Sequence, residues 1–409
     1  MAGNAAVALF DPARHEPLTA TPWDETAARA AIRRIAAAAE AAFDPAAAGW
    51  KVHPLDDPPA PEAHDHHLYS GAAGVIWALR HLAAQGAIEL HTRFDDAISQ
   101  LSQRAKQAVA QEQHGSASFF LGESGALLLE WISTRQDRTA AALLAVVRGN
   151  LRNPVREALW GSPGTLIAAT HMAEATGDED WTRVLQEGMQ ILLDDMEIDP
   201  KLGTWLWEQD LYGGKRRLLG AGHGLVGNVY PAFRAAHVLE AATAATLQER
   251  ALQTLEATAL RDDGCINWHA SSDAALAAGR MPLVHDCHGA PGVVCRLASA
   301  PRTAAWDALL RGAGELVWRA GPLATKGASL CHGTPGSAMA CLKLWRRFDE
   351  PSWLARARAL AMHSLELVER HRSRYGIGRH SLWTGDLGVA CLLWNCIVED
   401  DRFPTLDHF

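Results

Sequence analysis

The stretch KGASLCHGTPGSAMACL, Lys326 to Leu342, decides how the chain is read. It sets a Cys-His pair, Cys331 and His332, directly before a Gly-x-Pro-Gly and then enters a run of small and apolar residues. A second version, VHDCHGAPGVVCRL, runs from Val284 to Leu297 with Cys287 and His288 in the same places. Two copies suggest one metal site assembled from separate repeats.

The Gly-x-x-Gly alone recurs along the whole chain. It stands at Gly71/Gly74, Gly122/Gly125, Gly161/Gly164, Gly224/Gly227, Gly289/Gly292, Gly333/Gly336 and Gly385/Gly388, about 40–65 residues apart. Each copy leads into an apolar segment such as VIWAL, ALLLEWI or VACLLWNC. Between copies lies one longer, more polar segment, for instance PSWLARARALAMHSLELVERH. A helix apolar on most sides is buried, and one with a polar face lies outside. The pattern predicts an all-α fold, an (α/α)7 double-ring toroid with seven GxxG repeats.

The first polar helix is expected over 24–43, with Asp24 or Thr26 as its cap. Residues 1–23, with Pro12, Pro17 and Pro22, are expected to be irregular. The repeats then cover about 24–397, and residues 1–409 are read as a single toroid domain. The long connections 196–219 and 260–286 have the turn and aromatic residues of short hairpins.

Composition narrows the function classes. Hydrophobic residues make up 48% and charged residues 21% of the 409, a globular balance. The net charge of −9, with no long Lys/Arg cluster, argues against nucleic acid. The N-terminus lacks a basic region followed by an apolar run, and no apolar run is long enough for a transmembrane helix. A cytoplasmic location is expected, with the seven cysteines reduced.

Thiolate and imidazole together suit Zn²⁺, so Cys287, His288, Cys331 and His332 form the main constellation. Helix N-termini favour the thiolate form needed for ligation. Four ligands would make a closed structural site, and three would leave a position open for water or substrate. The residues alone do not choose, although neighbouring side chains seldom both reach one ion, which leans toward three. His64, His66 and His67 form a rival cluster, read as a solvated loop. Lys215, Arg216 and Arg217 are read as a solvated turn, with a peptide carboxylate as the functional alternative. Cys265, Cys295, Cys341, Cys391 and Cys396 are read as buried thiols.

From about Tyr69 onward the chain resembles the lanthionine synthetase C (LanC) family, and more closely its stand-alone LanC-like branch. The likeness rests on the seven GxxG copies, GAGHGLVG (220–227), DCHGAPGV (286–293), KGASLCHGTPG (326–336) and the closing DRFPTLD (401–407). The resemblance implies that Cys287, Cys331 and His332 bind zinc, with the fourth position open to a substrate thiol. It excludes His288 as a ligand. Asp286 stands where the family commonly has Trp. The resemblance further places the acid/base histidine at His223, an acidic residue at Glu157 and the branch's lysine at Lys326. From the residues alone, Glu157 reads as a solvated helix position, His223 as a helix cap and Lys326 as a surface lysine.

The implied chemistry is zinc-dependent addition of a thiol to dehydroalanine or dehydrobutyrine, forming a thioether. The thiol is glutathione-like or a peptide cysteine, and the partner is a peptide or protein carrying dehydroamino acids. His223 would protonate the α-carbon, Glu157 would orient His223 or relay a proton, and Lys326 would stabilise the enolate or hold an acidic thiol such as glutathione. A lanthipeptide cyclase and a non-catalytic zinc-binding adaptor stand as alternatives. A helical-toroid carbohydrate enzyme would rely on paired carboxylates and need no Cys-His constellation.

Overall fold

A computed structural model describes residues 8–409, apart from 57, 61, 112–114, 274–278 and 325. Its helices alternate between two layers. The outer ones are α1 (Glu25–Ala41), α3 (Asp95–Ala108), α5 (Asp137–Asn150), α7 (Glu179–Asp194), α9 (Ala241–Thr258), α11 (Ala304–Ala320) and α13 (Pro351–Tyr375). The inner ones are α2 (Ala72–Ala84), α4 (Glu123–Thr134), α6 (Ser162–Thr176), α8 (Leu225–Arg234), α10 (Ala290–Leu297), α12 (Thr334–Phe348) and α14 (Asp386–Val398). The (α/α)7 toroid expected from the repeats is therefore the observed fold.

Amphipathicity sorts the layers. α7 buries Trp181, Val184, Leu185, Gly188, Met189 and Leu192, a stripe at helical spacing. α6 is buried at every residue from Ser162 to Ala173, and α10 along its whole length. Asp24 caps α1 by accepting from the Ala27 amide at 3.0 Å.

The inner helices start differently. Each begins at the first glycine of its pair, with no side-chain cap. The preceding loop curls back instead, so that its carbonyls take the free amides of the first turn. Glu123 N donates to Ser116 O at 2.9 Å, Leu225 N to Leu218 O at 3.0 Å and Thr334 N to Gly327 O at 2.8 Å. This curl explains the second glycine. A Cβ on Gly74, Gly125, Gly164, Gly227, Gly292, Gly336 or Gly388 would lie less than 3.0 Å from the carbonyl oxygen of Leu68, Phe119, Ala158, Ala221, Asp286, Leu330 or Leu382 respectively.

The same glycines set the repeats side by side. Gly125 faces the side chain of Leu68, Gly164 that of Phe119, Gly227 that of Ala158, Gly292 that of Ala221, Gly336 that of Asp286 and Gly388 that of Leu330. Gly74 of the first repeat faces Leu382 of the seventh, which closes the ring. α1 packs against α14 at the same seam.

Three antiparallel hairpins fill the long connections: β1 (Glu197–Ile198) with β2 (Trp205–Leu206), β3 (Gln209–Leu211) with β4 (Gly214–Arg216), and β5 (Leu260–Asp262) with β6 (Cys265–Asn267). The N-terminal segment has one 3₁₀ turn at Pro12–Arg14 and is tied down where Glu16 N donates to Pro322 O and Glu16 meets His363. The C-terminal segment is buried too. Asp407 accepts from Tyr230 Oη at 2.7 Å and pairs with Lys343 at 2.7 Å. Among the described residues no helix is long and apolar enough to cross a membrane.

Two glycine substitutions separate packing from propensity. Gly125→Ala forces a methyl group into Phe119 O and should lower stability by roughly 2 kcal/mol or more. Gly149→Ala, in α5 with nothing near its Cβ position, should raise stability by about 0.5–1 kcal/mol. Melting of the full chain should fall in the first variant and rise in the second. Equal melting would remove the steric explanation of the repeat.

Candidate functional site

The curled loops bring equivalent residues to the ring's axis. Two positions before each first glycine stand Tyr69, Phe120, Leu159, Gly222, Cys287, Cys331 and Trp383. Their backbones form a nearly continuous hydrogen-bonded circle. Tyr69 N donates to Phe120 O, Leu159 N to Gly222 O, Gly222 N to Cys287 O, Cys287 N to Cys331 O, Cys331 N to Trp383 O and Trp383 N to Tyr69 O, all at 3.0–3.4 Å. The Ser118 hydroxyl bridges the remaining step by donating to Leu159 O. One position nearer the glycine stand His223, His288 and His332 in the fourth, fifth and sixth repeats.

This register places both cysteines at one point. The donor atoms of Cys287, Cys331 and His332 all lie within 4.8 Å of one another. Among the described residues this is the one His/Cys/Asp/Glu group of three or more arranged to hold a metal ion. His332 Nε2 stands 3.6 Å from Cys331 Sγ, while its Nδ1 lies 3.4 Å from the Tyr69 hydroxyl. Nε2 is thus directed at the thiols and Nδ1 is the nitrogen that a second residue orients. The Ser329 hydroxyl fixes the His332 backbone, accepting from its amide at 3.0 Å.

The two thiols are hydrogen-bonded and shifted in opposite directions. Burial alone would push Cys331 up, but the hydrogen bond from Cys287 and the adjoining His332 hold it well below the usual thiol range. Cys287, donating to that sulfur, is pushed well above it. A buried pair of thiols beside an imidazole suits a divalent cation with a preference for sulfur and nitrogen. Gly222 leaves space beside this pair, since a Cβ there would come 3.0 Å from Cys287 Cβ.

His288 does not join the three. Gly289 takes φ 113°, whereas the other six helix-start glycines lie between −99° and −167°. The His288 ring instead stacks on His223, with centroids 5.5 Å apart, and its Nδ1 is buried without a hydrogen-bond partner among the described residues. Cys331 and His332 are sequence neighbours that do converge, so adjacency by itself is no bar to shared ligation.

His223 Nδ1 lies 2.8 Å from Glu157 Oε2. Glu157 is fully buried, not the solvated helix residue its local sequence suggests. It serves the loop itself, accepting from Leu159 N at 3.0 Å and Trp160 N at 2.5 Å. Its neighbour Arg156 takes φ 47°, and Asn228 of α8 donates to the Arg156 carbonyl at 2.8 Å, so the fourth repeat clamps the third. Burial pulls the His223 pKa down, but the hydrogen bond and charge of Glu157 outweigh it and raise the value above its ordinary 6.5.

Cys287, Cys331, His332 and His223 line one internal cavity with Tyr69, Phe120, Trp383 and Leu406 of the C-terminal segment. Asp286 and Arg296 line the same cavity and make a buried two-point pair, at 3.0 and 2.7 Å. Lys326 is exposed, with φ 61°, and does not line the cavity.

Other expectations need correction or gain support. His66 and His67 are buried, not solvated, and His66 Nε2 is bonded to Ala47 O. Lys215 and Arg217 are ion-paired, with Glu208 and with Asp199. The five remaining cysteines are buried free thiols as expected. Tyr69 and His285 were missed as neighbours of the site. Tyr69 is detectable from the register, since it precedes its glycine by the same two positions as Cys287 and Cys331. His285, packed edge-on to His332 at 5.6 Å, has no such signal.

Comparison with known proteins agrees with this geometry. The nisin cyclase structure matches with a TM-score of 0.60 at 14% identity, covering 83% of this chain and 90% of that one, a likeness of fold. Glutathione S-transferase LANCL1 of Danio rerio is 33% identical over 129 residues, which is 31% of each protein, so the matching stretch spans less than half of that relative. A family model described as lanthionine synthetase C-like protein matches residues 62–407. With the match running through all seven Gly-x-x-Gly pairs and both Cys-His motifs, the chain belongs to the lanthionine synthetase C-like family.

Proposed function

We propose that the protein adds the sulfur of glutathione, or of a similar small thiol, to a dehydroalanine or dehydrobutyrine in a peptide or protein, with Cys287, Cys331 and His332 holding Zn²⁺. One observation carries the reading: the two-thiol, one-imidazole group and His223, which is hydrogen-bonded to Glu157 behind it, line a single cavity. The printed name of the Danio rerio relative supports the choice of glutathione. Reduced thiols suit a cytoplasmic setting.

Zn²⁺, when bound, supplies the charge that keeps the donor's sulfur deprotonated near neutral pH. Tyr69 orients His332, and burial keeps the Tyr69 phenol protonated, since it raises that pKa well above 10. The donor's S–H bond breaks as it binds, and its electron pair forms the S–C bond at the acceptor's β-carbon. The alkene π pair moves to the α-carbon and its carbonyl as an enolate. His223 then gives its proton to the α-carbon. The proton lost by the donor thiol restores the imidazolium, so the sum is thiol plus alkene to thioether.

Glu157 keeps that proton on His223 and, through Nδ1, turns Nε2 toward the cavity. Lys326 lies outside the lining, so of its two expected roles only the outer one is retained, a hold on a carboxylate of the incoming thiol. The Asp286–Arg296 pair forms part of the cavity wall beside Cys287.

Incubating the metal-loaded full chain with a dehydroalanine peptide and glutathione should give a mass increase of one glutathione. Prior treatment with a chelator should abolish it. No adduct with the loaded protein would overturn the reading. His223→Ala should retain the metal and lose about 10²–10⁴ in rate; an unchanged rate would remove His223 from the chemistry.

The acid must be protonated to work, so the rate should fall as pH rises through the His223 pKa. Glu157→Gln removes the carboxylate that does most to raise this pKa. The alkaline limb of the pH–rate profile should therefore move to lower pH in the variant. A limb that stays in place would sink the Glu157–His223 coupling.

A further inference from the structure

His223 borders two spaces. Inward it faces the cavity of the cysteines, and outward it lines, with His288, a cleft of about 770 Å³. Three guanidinium groups line this cleft: Arg14 from the N-terminal segment, Arg216 at the end of β4, and Arg280. Asp11 is the one carboxylate in the lining, and its Oδ1 already accepts from the Ala13 amide. Among the described residues none of the three arginines is paired with a carboxylate, although Lys215 and Arg217 on either side of Arg216 both are. In a chain of net charge −9, unpaired positive charge gathered at one cleft is a local attractor for anions.

The cleft is also apolar at its rim. Tyr212 and Met281 line it and are 63% and 40% exposed, among the few large hydrophobic side chains left in water. Exposed apolar groups beside cationic ones mark a contact surface. The Tyr212 ring stands 6.0 Å from the His223 ring, which connects this surface to the proton donor.

We propose that this cleft binds the acceptor, and that it selects polypeptide segments carrying Asp or Glu beside the dehydro residue. The inference rests on the thioether reading in one respect. His223 protonates the α-carbon, so the molecule that reaches it from the outer side is the acceptor, while the donor sulfur belongs with the cysteines. Arginine forks match carboxylates in two-point hydrogen bonds, and Tyr212 and Met281 give the flanking peptide an apolar support.

The test needs no turnover. Two fluorescently labelled peptides with Ala at the central position, one flanked by Asp and Glu and one by Asn and Gln, are titrated with the full chain and followed by anisotropy. The acidic peptide should bind about tenfold more tightly at low salt, with the advantage shrinking as salt rises. In an R216Q/R280Q double variant with unchanged melting, the acidic-to-neutral ratio should fall close to one. Equal binding of both peptides to the unmodified protein, or a preference that survives in the variant, overturns the proposal. So does a variant that loses glutathione binding while keeping the peptide preference, because the cleft would then be the thiol's site. Acid-selective binding without thioether formation would overturn the enzymatic reading alone. Thioether formation without acid selectivity would overturn the cleft assignment alone.

Discussion

The ring depends on one close approach. In each repeat a loop carbonyl lies against the α-carbon of the second glycine, where any side chain would displace it. The contact does two things. It lets the loop satisfy the free amides of the inner helix, and it lets the next repeat come near enough to touch. Repeated seven times, it closes the ring and turns the loops inward on one level. The positions just before the glycines then become the inner rim, and whatever residues stand there become the site. Cys287 and Cys331 meet because neighbouring repeats hold a cysteine at the same rim position.

This is why the fold was readable from spacing. The Gly-x-x-Gly recurrence and the alternation of apolar and polar segments are backbone and solvation constraints, and both act locally. The three donors could be located for the same reason, since each sits at a fixed distance from a glycine. Glu157 looked like a solvated helix residue because its burial comes from the fourth repeat, through Asn228 and His223, which lie far along the chain. His66 and His67 looked solvated because a Pro-rich neighbourhood says nothing of what packs over it. The His288 ring stacks on His223 rather than joining Cys287, a side-chain placement that composition does not encode. The surroundings of Lys326 are likewise a matter of loop conformation, here φ 61°.

The electrostatics of the centre follow from burial of unlike groups at short range. Two thiols and an imidazole in a dry wall offer the sulfur and nitrogen donors that a divalent cation would take up. Glu157 acts on His223, favouring its charged form against desolvation. The two groups are therefore shifted in opposite senses, the Cys331 thiol down and the His223 imidazole up, as the proposed chemistry requires. Asp286, at a position that is apolar in the other repeats, is paired with Arg296, and its charge adds to the forces that push the Cys287 thiol up.

X-ray absorption at the zinc edge of the full chain, without added thiol, tests the arrangement most directly. The expected spectrum has two sulfur neighbours at about 2.3 Å and one imidazole nitrogen at about 2.0–2.1 Å, with one sulfur lost in Cys287→Ala. A protein that takes up no zinc, or a shell without sulfur, would contradict the proposal that the ring's register builds a metal centre from Cys287, Cys331 and His332.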